Sequence, residues 1–226
     1  MSKRIKKELN NFVYRGQSTK ITIGTIIISL FFVLLIIVST FTQFEFTHPV
    51  IPGDFFNYFG QNIFAPENSE HFLRHYRYIP QVPVIFFIVG ILGRRFALFS
   101  IVTYILIGLF LYPVFGLGGG INYILEYGFG FILGYIPAIY YAGTILDTKF
   151  NWKTILHAAV VGVLAIHVIG VLYLSVLMAH KPDFFANIVG WTILYSGTKI
   201  FYDIFFSIIA LYFAKVLKKF FWLAMD

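Results

Sequence analysis

The stretch PVFGLGGGINYILEYGFGFILGYIPAIYYA, residues 113–142, decides how the chain is read. It opens on a glycine loop, residues 116–120, set between apolar segments. Glycine takes backbone conformations closed to other residues and lets a ligand approach the main chain. Glu126, Gly130, Gly134, Ala138 and Ala142 then recur every four residues. On a helix over residues 123–147, that spacing makes one face of small residues headed by a carboxylate. Gly130 and Gly134 form the G-x-x-x-G pattern by which helices pack closely inside a membrane. Pro137 on the same helix frees the carbonyl of Leu133. A freed carbonyl at membrane depth is tolerated where protein or a cavity satisfies it. Loop, carboxylate, small face and kink together predict the wall of a substrate cavity.

The rest of the chain sets that wall in a bilayer. Of 226 residues, 59% are hydrophobic and 12% charged, whereas about a quarter charged is usual in a soluble domain. One membrane domain is expected. There is no cysteine, which excludes disulfides and thiolate metal sites. The net charge of +7 comes with blocks of lysine and arginine that flank apolar spans. That is a topology signal, helped by anionic lipid. Nucleic-acid binding would gather those charges on a folded face, so no nucleic-acid partner is expected.

Residues 1–20 form a basic N-terminal segment, expected in the cytoplasm, with Lys3, Arg4, Lys6, Lys7, Arg15 and Lys20. Residues 21–44 carry no charge and are long enough to cross a bilayer. Residues 45–79 are the longest polar connection, expected outside the cell and packed through its aromatics as a lid or an interfacial segment. His71 and His75, four apart, would share a helix face; no third ligand accompanies them, and no metal site is assigned. Two shorter apolar runs, residues 81–93 and 96–112, flank a charged turn at Arg94 and Arg95. After the glycine loop come the helix over 123–147, an apolar run over 154–179 and a helical pattern over 184–219, with Gly190 and Gly197 as possible irregularities. Arg94, Arg95, Lys149, Lys153, Lys215, Lys218 and Lys219 fall on the side of the basic segment, against Arg74, Arg77 and Lys181 on the other. The positive-inside rule then requires an even number of crossings. The expected fold is an all-α integral membrane protein with six transmembrane helices over residues 21–220, a short tail over 221–226, and both termini cytoplasmic. Three loops would meet outside over one cavity mouth.

The stretch PVFGLGGGINYILEYGFGFILGYIPA resembles the signature of the BioY family, the biotin-binding S-components of energy-coupling factor (ECF) transporters. YIPQVPVIFFIVGILG, from Tyr78, is similar to that family's second-helix region, and IHVIGVLYL, from Ile166, to a fifth-helix segment. The resemblance implies a multi-pass cell-membrane protein that captures biotin outside the cell and needs no cofactor. Its implied partners are a membrane scaffold subunit and two ATPase subunits. It also implies docking on the scaffold through small residues of the first helix, here Gly24, Thr25 and Ser29. The family pattern near the last helix is usually Gly-Asp-x-x-Lys. Here Gly197 is followed by Thr198, and Phe201 stands where lysine is expected. Lys199 and Asp203 would then take those roles from shifted positions.

Ionisable residues inside spans are costly, so each is a functional candidate. Trp191, Tyr195, Lys199 and Asp203 recur every four residues, a lining suited to an amphipathic ligand. The plainer alternative is a Lys199–Asp203 pair satisfied within the bundle. Asn122 and Glu126 would share a helix face beside Gly118, Gly119 and Gly120, offering the donors and acceptors that a cyclic urea such as biotin's needs; helix capping is the alternative. His167 is mid-helix and is either a ligand contact or a histidine satisfied in the bundle. Tyr123 and Tyr127 are candidates to stack on the ligand, as are Tyr76, Tyr78 and Tyr135. No P-loop is present, so the chain cannot itself couple ATP. No hydrolase or metalloprotease motif appears either, so no enzyme is expected. The rival readings are an S-component-like protein for another vitamin and an intramembrane enzyme using Glu126, His167 and Asp203.

Overall fold

A computed structural model of the chain describes residues 23–49, 73–180 and 184–225. The basic segment, His71, the Lys181 turn and most of the long outer connection lie outside the described residues. Among the described residues, five helical stretches are long and apolar enough to cross a membrane. The first, α1 (Ile23–Phe41), has no charged residue and spans about 28 Å at 1.5 Å per residue. It buries Phe32, Val33, Ile36 and Thr40 and exposes Ile27, Phe31, Leu34 and Val38, as a helix with lipid on one side does.

The stretch Gln81–Phe110 is helical throughout except at Gly93, whose φ of 74° and ψ of 178° no side-chain residue adopts readily. The chain reverses there. Gln81 Nε2 lies 2.9 Å from the Tyr104 hydroxyl; on an unbroken helix those residues would stand about 34 Å apart. The two arms, residues 81–92 (α2) and 94–110 (α3), therefore run antiparallel. Arg94 begins the return and reaches α4 (Phe129–Thr148), donating to Thr144 Oγ1 at 2.8 Å and approaching Asp147 at 3.8 Å. The charged turn expected at Arg94 and Arg95 is this reversal.

Between α3 and α4 the structure departs from the expected helix over 123–147. A short 3₁₀ helix, Ile121–Leu125, ends at Glu126, which is extended (φ −76°, ψ 138°), and α4 begins only at Phe129. The cause is burial of Tyr123. Its ring packs on Phe115 (4.5 Å) and Phe129 (6.1 Å), and the backbone has to turn to place all three rings together. Glu126 is thus off the small-residue face and shares no helix face with Asn122.

From Gly130 onward that face is present. It packs on α5 (Trp152–Met178). A Cβ at Gly134 would sit 2.8 Å from the Ile166 Cα, and Ala138 and Ala142 have no exposed surface. Backbones this close gain dispersion contacts that larger side chains would forbid. α5 is capped at its N-terminus by Asn151 and Thr154, which satisfy each other's backbone N–H groups at 3.0 Å.

The last two helices, α6 (Phe184–Ser196) and α7 (Lys199–Met225), are separated by a break at Gly197 and Thr198; Gly190 causes none. The expectation of an all-α chain also needs one correction. Phe44–Pro49 (β1) and Leu73–Tyr78 (β2) pair as an antiparallel ribbon, with Phe44 opposite Tyr78 and Glu45 opposite Arg77. His75 pairs with Thr47 in it, so it lies on a strand and not on the helix face expected with His71. The ribbon is anchored by aromatics: Phe46 stacks on Tyr202 (5.9 Å, 9°) and Phe206 (5.9 Å, 20°) of α7.

Candidate functional site

The chemistry-bearing side chains gather where the ribbon ends against α7. Tyr78, the last residue of β2, is 1% exposed, and its hydroxyl donates to Asp203 Oδ1 at 2.8 Å. Asp203 has no exposed surface. Its other oxygen, Oδ2, meets His167 Nε2 at 3.2 Å and Lys199 Nζ at 3.7 Å. His167 Nδ1 lies 2.9 Å from the buried Ser196 hydroxyl. An ionised carboxylate only accepts, so Nε2 carries the proton that points at Asp203; in the neutral ring Nδ1 then accepts from Ser196. Three elements thus converge on one buried carboxylate: the ribbon through Tyr78, α5 through His167, and α7 through Lys199. A carboxylate removed from water survives only with such partners.

Lys199 differs from the others. Its side chain is 26% exposed, whereas the carboxylate it pairs with has no exposed surface. Two aromatic groups flank the cluster. On one side Phe131 meets His167 edge-on (5.8 Å) and stacks on Tyr195 (5.4 Å, 20°). Trp191 stacks on Tyr195 (5.9 Å), and Tyr127 meets Trp191 edge-on (4.9 Å). On the other side Tyr78 packs against Phe206 (5.1 Å) and Tyr202 (5.9 Å). An acceptor-hungry cation beside a panel of rings is suited to a ligand with an anionic end and a flat apolar body.

The structure therefore brings Tyr127, His167, Trp191, Tyr195, Lys199 and Asp203 together. Trp191 and Tyr195 lie on α6 and Lys199 and Asp203 on α7, so the four-residue spacing crosses a helix break. His167, left open between ligand contact and bundle partner, has both ring nitrogens engaged within the protein.

The glycine loop stands apart from this cluster in its described contacts. Gly118 and Gly120 have positive φ (119° and 89°), and Phe115 and Gly118 exchange backbone bonds of 2.9 and 3.0 Å. A Cβ at Gly119 would lie 2.6 Å from the Pro113 Cα and 2.7 Å from the Gly108 oxygen. The close approach at Gly119 is thus by the chain itself. Asn122 and Glu126 are exposed, and Glu126 lines a cavity of about 390 Å³ with Leu125, Tyr127 and Leu177. Burial pushes the Tyr123 hydroxyl above its ordinary pKa, so it stays neutral. On α1, Gly24 is exposed and Thr25 half-buried, but Ser29 is buried, its carbonyl accepting from the Ser100 hydroxyl at 3.1 Å. The three do not make one outward small-residue face.

Sequence reasoning missed two features. The first is the role of Tyr78, singled out only as a possible stacking ring. The second is a hub at Gln81. Its amide donates to Thr40 and Tyr104 at 2.9 Å each and accepts from Tyr135 at 2.8 Å, tying α1, α3 and α4 to the start of α2. A glutamine directly after the Tyr-Ile-Pro that closes the ribbon was the available signal. A second cavity, about 530 Å³, lies beyond Tyr78 between Phe46, Pro83, Phe87, Phe206 and Phe213. Among the described residues no charged side chain lines it, so it does not suit an anionic group.

The chain is similar to known proteins over the region that carries this cluster. The model of the BioY family matches residues 78–221. The probable biotin transporter BioY of Lysinibacillus sphaericus is 37% identical over 109 residues, 43% of this chain and 54% of that protein, so the chain spans about half the length of the curated relative it matches. The solved S-component for biotin from an ECF-type ABC transporter superposes with a TM-score of 0.60 at 20% identity, covering 97% of this chain and 95% of that one, which is a likeness of fold. The family match begins at Tyr78 and runs through Asp203, taking in every member of the buried cluster, and the chain belongs to the BioY family.

Proposed function

We propose that the chain captures biotin as the substrate-binding subunit of an ECF-type transporter. The observation that carries this is the partly exposed Lys199 side chain, its amine 3.7 Å from a buried carboxylate, one of whose other partners, His167, is joined through Phe131 to the Tyr195–Trp191 panel. Biotin is an amphipathic monoanion; its carboxylate would take the open side of Lys199 and its rings the aromatic wall. The names of the matched relative and of the solved S-component support the same substrate. A membrane scaffold and two ATPase subunits would energise release, since the chain has no nucleotide-binding motif of its own. The candidate contacts at Gly118, Gly119, Gly120, Asn122, Tyr123 and Glu126 would form the rim, and Gly24 and Thr25 the scaffold-docking end of α1.

Biotin purified with the protein, and released unmodified on denaturation, is the result expected from mass spectrometry. Another vitamin would favour a different S-component specificity. A chemically altered ligand would favour the enzyme reading, and no measurable biotin affinity would contradict the proposal.

We also infer six crossings of the plasma membrane, with α2 and α3 as separate short crossings and both termini cytoplasmic. The reversal at Gly93 supports this, as does the gathering of Arg94, Asp147 and Lys218 at one end of the bundle, where Lys218 lies 5.9 Å over the Phe150 ring. The ribbon and the glycine loop emerge at the other end. Because the chain has no cysteine, Leu117→Cys, at the exposed tip of the glycine loop, should react with an impermeant thiol reagent on intact cells. Thr148→Cys should react only after lysis. The reverse pattern would refute the orientation.

A further inference from the structure

The charge count at the cluster carries a consequence for binding. Lys199 and Asp203 already neutralise one another at 3.7 Å, and His167 is neutral when Nδ1 accepts from Ser196. A ligand carboxylate arriving at Lys199 adds a second negative charge against a single cation among the described residues. An uncompensated charge in a site this buried is costly. Among the described residues, the groups that face Asp203 are Lys199 on its own helix, Tyr78 from the ribbon and His167 from α5, with Tyr135 of α4 within electrostatic range. The two phenols are neutral donors. His167 is the group among these that can gain a positive charge near physiological pH.

The geometry around His167 accommodates that proton without moving a heavy atom. Nε2–H already points at Asp203 Oδ2, 3.2 Å away. The new proton would go on Nδ1, 2.9 Å from Ser196 Oγ. A serine hydroxyl both donates and accepts, so it need only turn to change from donor to acceptor. Both ring nitrogens then remain hydrogen-bonded, and imidazolium and carboxylate form a buried pair. We propose that biotin binding takes up a proton from solvent and that His167 holds it. The ligand enters as carboxylate, the proton comes from water or buffer, and the site is neutral before and after. This rests on the reading that Lys199 receives the ligand carboxylate.

Titration calorimetry of the full chain with biotin at about pH 7, in buffers of low and high ionisation enthalpy such as phosphate and Tris, tests it. The expected result is a binding heat that differs between buffers by uptake of up to about one proton per biotin. The methyl ester of biotin brings no charge and should bind with a buffer-independent heat. His167→Gln should bind biotin without proton uptake. Ser196→Ala, a smaller change available if His167→Gln does not fold, should reduce the uptake by leaving Nδ1–H unpaired. Binding of biotin with the same heat in both buffers would overturn the proposal. So would an uptake preserved in His167→Gln or Ser196→Ala, or one equal for acid and ester. Absence of biotin binding is a different outcome: it overturns the carboxylate reading at Lys199, and this proposal with it.

Discussion

Asp203→Ala should lower the unfolding free energy of the purified protein by about 3–5 kcal/mol, the size seen when one partner of a buried ionic group is removed. The reason is the number of groups that lose an acceptor together. Tyr78 Oη, His167 Nε2 and Lys199 Nζ all point at this one carboxylate, which has no exposed surface. Tyr78 and His167 are themselves buried, at 1% and 3% exposure, so water cannot readily replace the lost partner. Asp203→Asn should cost less, because the amide oxygen still accepts from one donor. Thermal unfolding in detergent checks both substitutions. A loss for Asp203→Ala within about 0.5 kcal/mol, the range of surface substitutions, would mean that the carboxylate is hydrated and does not hold the ribbon, α5 and α7 together.

How much of this was legible in the sequence depended on whether the signal was local. Most of the helices could be read because each is a largely apolar run, and the turn at Arg94 because charge and Gly93 interrupt one. The α4–α5 contact was foreshadowed by Gly130, Gly134, Ala138 and Ala142, since the small-residue spacing is itself the packing surface. Glu126 fits the same spacing by coincidence. Burial of Tyr123 beside Phe115 overrides the helical period there, and nothing in a local window reveals that contact. The ribbon was missed although F-E-F-T and H-Y-R-Y alternate as strands do. Its halves are separated by residues 50–72, and pairing over that distance leaves no local trace.

The site was half legible for the same reason. Lys199 and Asp203 are one turn apart, so their ion pair follows from helix geometry. That Asp203 also serves Tyr78 and His167 joins residues 125 and 36 positions away, which only the fold brings together. The plainer reading of Lys199 and Asp203 as a pair satisfied in the bundle is met in part by the structure. Asp203 is fully engaged, but Lys199 has one partner among the described residues, at 3.7 Å, and a side chain that is partly exposed. On the proposed reading the two residues would have different tasks: Asp203 would position, and Lys199 would meet the ligand.

Lys199→Met should therefore weaken biotin binding by about 30-fold, close to 2 kcal/mol and at the lower end for truncating one member of a charge pair, because the ammonium is partly hydrated. Methionine keeps much of the apolar stem, so the aromatic wall stays packed. Asp203 retains Tyr78 and His167, so the variant should still purify as a folded protein. The discriminating ligand is the methyl ester, which has biotin's rings and chain and no charge. The unaltered protein should prefer the acid to the ester. Measured side by side by titration calorimetry, Lys199→Met should lose about 30-fold for biotin and less than about threefold for the ester, bringing the two affinities together. An equal loss for acid and ester, or no loss for either, would contradict the assignment of Lys199 as the residue that receives the ligand carboxylate.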